Sequence, residues 1–259
     1  MLPPAQVRNF NEEGYMVVPG FFSPEQLALM RRECDNGIED MHRRMDAAST
    51  DVIHISHRGF RYFINHQTDR SPALHELAFS DQMAELCRAT IGDQAYFFLD
   101  QYVVKCAEQG MSFAWHQDAG YITHTKVKPY LTCWIPLDDC TVANGTIFIL
   151  PFSRMGHRDV IEHVRDGATN DMVGYAGDDP GIAIETEAGT LVAFSSHLLH
   201  RSTPNTTDRM RRAYLLQYSP EPIYGPDGAP LNKVEPFLRS DVDFAVLFES
   251  ALPEGHHGP

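Results

Sequence analysis

The stretch AYFFLDQYVVKC, residues 95–106, is where the chain changes character. It is dense in aromatic and β-branched residues, which fit a pleated, half-buried surface. Five later stretches share that texture: SFAWHQDAGY (112–121), PYLTCWIPLDD (129–139), GTIFILPFS (145–153), GTLVAFSS (189–196) and RRAYLLQYSP (211–220). Gly, Pro, Asn and Asp turns separate them, and many short strands so punctuated predict a β-sandwich or barrel. Upstream, GYMVVPG (14–20) reads as a short strand closed by Pro19-Gly20. A helix then starts at Ser23, with Pro24 at the first helical position and Gln26 where a capping box wants it. A second helix is expected over residues 80–92, opened by a serine and ended near a glycine. The expected architecture is one domain, mainly β with flanking helices, of the double-stranded β-helix (jelly-roll, cupin-like) type. Residues 1–94 form a helical and mixed scaffold, 95–220 the core, and 221–259 a C-terminal extension. Residues 154–188 make a long, polar, Gly- and Asp-rich connection, and a connection of that length is a candidate lid.

A chain of 259 residues can bury a sizeable core. Its net charge of −14 argues against a nucleic-acid or anionic-membrane partner, because a phosphate surface would repel it. It leaves a small anionic substrate open, since local arginines can hold one. The five cysteines are odd in number and lack CxxC spacing, as expected of reduced thiols in a cytoplasmic protein. MLPPAQVRNF lacks a basic start followed by an apolar run, so no signal peptide is expected. His256 and His257 fall in a terminal EGHHGP, expected to be a solvated tail.

Within the second of the β stretches, WHQDAGY (115–121) sets His116 and Asp118 two apart. In a strand both would point the same way, with Gln117 turned away. Converging imidazole and carboxylate suit a divalent metal, and equally a plain His–Asp hydrogen bond. A third donor would decide between them. AGTLVAFSSHLLHRSTPNTTDRMRRAYLLQY (188–218) supplies His197 and His200 where one strand is expected to end, with the next beginning at Arg211. Two histidines and a carboxylate form a facial triad that leaves three positions open, the arrangement of Fe(II) sites that bind a co-substrate and O₂. Zinc is the alternative metal, with hydrolytic or Lewis-acid chemistry.

These segments resemble the phytanoyl-CoA dioxygenase family of Fe(II)/2-oxoglutarate-dependent oxygenases, whose members include ectoine hydroxylase. FNEEGYMVVPGFFSPEQ is similar to the family's N-terminal segment and WHQDAGY to its HxD pair. TCWIPLDDCTVANGTIFILPFSRMGH and LLHRSTPNTTDRMRRA are similar to its central and distal segments. One departure is PFSRMGH, where Phe152 and Arg154 stand in place of the family's glycine and histidine. The resemblance implies that His116, Asp118 and His200 hold Fe(II) and carry the chemistry. It also implies that Arg211, eleven positions after His200, anchors the far carboxylate of 2-oxoglutarate. A bidentate guanidinium suits that task. Arg209 and Arg212 are the near competitors, expected in a turn and on the opposite face. By the same resemblance Ser202 shares the carboxylate and Trp134 lines the co-substrate pocket; plain core packing is the other reading of Trp134. Related halogenases replace the carboxylate of the triad with a small residue, so Asp118 favours hydroxylation or another oxidative outcome of O₂ activation.

Strand parity adds Gln101 and Lys105 as residues expected to face the cofactor cavity. Phe113, Tyr121 and Thr123 flank the HxD pair and are candidates for substrate contact. HISHRGFRYFINH (54–66) offers Arg61 as a wall that could bind an anionic group, against the plainer reading of a solvated hairpin. The expected substrate is a small-molecule metabolite. A cupin-like metal-dependent hydrolase or isomerase, and a non-catalytic jelly-roll binding protein, are the alternatives.

Overall fold

The structure is a computed structural model and describes residues 2–108, 112–167 and 171–239; His256 and His257 lie outside the described residues. Two antiparallel sheets face each other. The larger has nine strands, ordered Tyr15–Val18, Leu191–Ser195, Leu131–Pro136, Arg211–Ser219, Ala95–Lys105, Arg61–Asn65, Ser56–His57 and Val52–Ile53, with Glu235–Leu238 paired onto Ala95–Lys105. The smaller has four: Ile182–Ala183, Ile147–Leu150, Leu199–Ser202 and Phe113–His116. The jelly roll is therefore open at its edges, and strands from both the N-terminal scaffold and the C-terminal extension belong to its major sheet.

The helix Pro24–Ala47 covers the outer face of that sheet. Its start is the expected capping box: Gln26 N–H donates to Ser23 Oγ at 3.2 Å and Ser23 N–H to Gln26 Oε1 at 2.9 Å. It buries Met30, Cys34, Ile38, Met41 and Met45, a stripe at three- and four-residue spacing that belongs to one helical face. The second expected helix is Asp81–Thr90. Two more, Pro4–Glu13 and Pro72–Ala78, escaped the sequence reading because one buries Phe10 alone and the other is only seven residues long. The first displays little apolar period, and the second fits its buried Leu74, Leu77 and Ala78 into less than two turns. All five cysteines are free, as expected. Among the described residues no helix is long and apolar enough to cross a membrane.

Three local expectations need correction. His116 closes a strand, but Asp118 opens a short 3₁₀ turn, Asp118–Tyr121, so the two do not share strand alternation. His200 follows the strand that ends at Ser195 but lies inside a strand of its own, Leu199–Ser202, so the next strand does not wait for Arg211. The 154–188 connection is not featureless either: Val164–Arg165 pairs with Met172–Val173, and Ile182–Ala183 joins the smaller sheet. The departure at PFSRMGH has a packing role. Phe152 starts the one-turn helix Phe152–Met155, and its ring lies so close to Gly14 that a Cβ there would come 2.6 Å from its Cε2. Gly14 also caps the first helix at a φ of 85°, a conformation glycine adopts without strain.

Candidate active site

Cross-strand pairing builds the site. His116 and His200 are direct register partners on adjacent strands of the smaller sheet, and their rings lie 4.2 Å apart. The turn after His116 swings Asp118 back beside them. Its Oδ1 lies 3.9 Å from His116 Nε2 and 3.6 Å from His200 Nε2. One donor atom from each residue falls within 4.8 Å of the others. A carbonyl oxygen can only accept, so His116 Nδ1 donates to Ala114 O at 2.8 Å and His200 Nδ1 to Leu198 O at 3.1 Å. Both Nε2 lone pairs are thereby left facing the cluster, the tautomer a metal requires. Burial, and secondly His200, push the His116 imidazole down to about 4, which keeps it neutral and able to ligate near neutral pH.

Asp118 is held by residues the sequence reading did not single out. Its Oδ2 accepts from Thr132 Oγ at 2.5 Å and from Gln217 Nε2 at 3.0 Å. Thr132 and Gln217 are register partners on the major sheet. These two donors occupy one carboxylate oxygen and leave the other toward the histidines. The signal was present: Thr132 shares strand parity with Trp134, and Gln217 with Arg211.

A cavity of about 460 Å³ opens between the sheets on the cluster, lined by His116, Asp118 and His200 together with Arg211, Ser202, Trp134, Gln101, Phe113 and Tyr121. Arg211 is 1% exposed. Its Nη2 donates to Gly145 O at 2.6 Å, while Nε and Nη1 are buried without a hydrogen-bond partner among the described residues. A buried guanidinium with two unanswered donors is costly unless an acceptor fills the space beside it. Its carbon lies 5.6 Å from the Trp134 ring centre. Arg212, on the opposite face, pairs instead with Asp138 and Asp35, and Arg209 is exposed in the turn.

The remaining expected residues divide. Gln101 lines the cavity and donates to Asn65 Oδ1 at 2.7 Å. Lys105 does not line it: its Nζ lies behind Ser202, donating to Ser202 Oγ at 2.7 Å and to Thr203 O. Burial, then Arg211, push that amine well below its ordinary range. Arg61 is buried, not solvated, and is also behind the wall; it donates to Ile55 O at 2.9 Å, lies 3.8 Å from Asp171 Oδ1 and faces the Phe63 and Phe113 rings. Thr123 is exposed and outside the cavity, because the chain leaves the site after Ile122, whose buried side chain is the last of this stretch to line it. His197 is outside the donor cluster, with Nδ1 donating to Arg158 O at 3.0 Å. Further wall residues come from distant segments: Ile55, Arg165, Asp171, Leu231 and Asn232.

The donor set fits an open, octahedral divalent ion, and the orphaned Arg211 fits the distal carboxylate of a dicarboxylate in the same cavity. Known proteins point the same way. The sequence profile of phytanoyl-CoA dioxygenase (PhyH) matches residues 10–213. A phytanoyl-CoA dioxygenase domain-containing protein 1 from Bos taurus is 25% identical over 274 positions, spanning 87% of this chain and 94% of its own. An ectoine dioxygenase from Sphingopyxis alaskensis is 23% identical over 231 positions, spanning 83% and 74%. Among solved structures, the non-haem α-ketoglutarate-dependent carbocyclase SnoK from nogalamycin biosynthesis superposes with a TM-score of 0.70 at 20% identity, covering 93% of this chain and 95% of its own. That last likeness is one of fold.

Proposed function

The chain belongs to the phytanoyl-CoA dioxygenase family of Fe(II)/2-oxoglutarate-dependent oxygenases, and we propose that it hydroxylates an unactivated C–H bond of a small-molecule metabolite, releasing succinate and CO₂. The reading rests on one observation: three donors with free lone pairs and a buried, unanswered guanidinium share a single cavity. His116, Asp118 and His200 would hold the Fe(II), which supplies the oxidising chemistry once 2-oxoglutarate and O₂ are present.

The residues of the chain then bind, orient and shelter. Arg211 and Ser202 hold the far carboxylate of 2-oxoglutarate, with Trp134 beneath the guanidinium. Lys105 fixes the Ser202 hydroxyl from behind. Gln101 closes the wall by its bond to Asn65. Thr132 and Gln217 keep one oxygen of Asp118 occupied, so that the carboxylate presents a single oxygen. Phe98, Phe113, Ile122 and Tyr130 give the cavity an apolar lining that excludes water and favours a substrate with an apolar body.

A metal-dependent hydrolase is the competing reading of the triad, and it gives Arg211 no task. Anaerobic addition of Fe(II) and 2-oxoglutarate separates the two: the oxygenase develops a weak visible charge-transfer band. A metabolite screen scored by succinate release then identifies the substrate. A protein that binds Fe(II) but shows no band and no 2-oxoglutarate affinity would overturn the proposal.

A further inference from the structure

Gln117, between the two HxD donors, turns away from them and is fully buried. Its backbone N–H donates to His163 Nε2 at 2.9 Å. Its side-chain amide donates to Asp159 O at 3.0 Å and to His197 O, and its Oε1 accepts from Ile161 N–H at 2.8 Å. His163 Nδ1 donates to Ile161 O at 2.8 Å. The imidazole is thus a neutral ring used at both nitrogens. It joins residues 159–163 to the stretch that carries His116 and Asp118.

The ring also fills a gap between two glycines. A Cβ added at Gly120, in the turn that begins with Asp118, would overlap the His163 ring. A Cβ at Gly174, on the returning arm of the hairpin, would come 2.5 Å from His163 Nε2. Carbon contacts are comfortable only at about 3.5 Å and beyond. Neither glycine has a positive φ, so both positions require the absence of a side chain and not unusual backbone freedom. Gly174 N–H in turn donates to Trp115 O at 2.8 Å. The hairpin is therefore fastened on both sides of the ring.

We infer that His163 is a positioning residue, a wedge between Gly120 and Gly174 that fixes residues 159–163 and 172–174 to the Asp118 turn and so sets the geometry of the donor cluster from outside it. The base of this segment then belongs to the site's framework. The step from wedge to metal geometry rests on the oxygenase reading above; the wedge itself does not.

The test is a mutant cycle on the full chain, with two readouts. Co(II) titration, followed by its visible ligand-field bands, reports metal affinity and geometry. The Tm of the metal-free protein reports the wedge alone. His163→Ala should weaken Co(II) binding about tenfold, as removal of an outer partner of a metal site does, and alter the bands. His163→Gln, whose Oε1 can accept from the Gln117 N–H, should recover most of the affinity and the spectrum. Gly120→Ala should lower both readouts in the wild-type background and add little in His163→Ala, because the ring it collides with is gone. Additive effects of Gly120→Ala and His163→Ala on Tm would overturn the wedge. Wild-type Co(II) affinity and bands in His163→Ala would overturn its role in metal geometry. A wild-type protein that binds no Co(II) would instead sink the metal reading, and the Tm cycle would still decide the wedge.

Discussion

The donor cluster and the remote part of the cavity wall are assembled in different ways. His116, Asp118 and His200 come from two short segments that pair directly, and three donor atoms meet within 4.8 Å. The remote wall draws Ile55 from the edge of the major sheet, Arg165 and Asp171 from the hairpin, and Leu231 and Asn232 from the C-terminal segment. The cluster is locked by bonds at nearly every polar atom: carbonyls on both Nδ1 atoms, Thr132 and Gln217 on Asp118. The wall segments are held by bonds among themselves, such as Arg61 Nε to Ile55 O at 2.9 Å and Leu231 N–H to Ile223 O at 3.0 Å, which do not touch the donor atoms. Chemistry that must be exact to a fraction of an ångström sits on paired strands and the short turn tied to them, while much of the remote wall is brought by connecting segments.

If that contrast holds, the largest effects follow substitution within the cluster. His116→Ala, Asp118→Ala and His200→Ala should each abolish turnover and weaken Fe(II) binding by more than the roughly 100-fold that loss of an outer partner can cost. His197→Ala should keep activity, and a dead His197 variant beside an active His200 variant would reverse the assignment. Next is the anchor. Arg211→Lys keeps charge but loses the planar fork, and should raise the KM for 2-oxoglutarate about tenfold or more with a smaller change in kcat at saturation. The same shift from Arg209→Lys alone would mean the anchor has been misplaced by two residues.

Smaller effects test the locks and the wall. Thr132→Val preserves shape and removes one donor to Asp118; metal affinity should fall about tenfold with little loss of Tm. Asp171→Asn should raise the KM for substrate several-fold and leave the KM for 2-oxoglutarate unchanged; a shift in both would place the hairpin in co-substrate binding as well. The mildest probe is pH. His116 has its folded pKa depressed from 6.5 to about 4, so the unfolded chain binds more protons in that interval. The metal-free protein should lose stability as pH falls from 6.5 toward 4. His116→Gln should flatten that part of the Tm profile.

Much of this could be read from residues alone, and the reasons are local. The capping box at Ser23 needs only three residues of context. Strand texture from residue 95 onward depends on side-chain shape, and the HxD pair raises a metal site within one tripeptide but needs a third donor to decide it. Arg211 came through resemblance to a family, whose spacing carries long-range information that a single chain does not display. Thr132 and Gln217 share strand parity with Trp134 and Arg211, so alternation along those two strands is enough to point to them.

Tertiary structure decided the rest, because pairing between distant strands follows from packing of the whole chain, and a slip of one residue exchanges the faces of a strand. That register places His200, and not His197, opposite His116. It sets Lys105 behind Ser202 although its parity matches that of Gln101. A 3₁₀ turn, invisible to strand periodicity, returns Asp118 to the histidines, and the chain leaves the site after Ile122 with Thr123 exposed. The apparently loose connection after Phe152 becomes part of the framework only where the His163 ring meets Gly120 and Gly174. The sequence by itself determined which chemical groups and which local elements exist; closure of the two sheets around one cavity determined which of those groups meet.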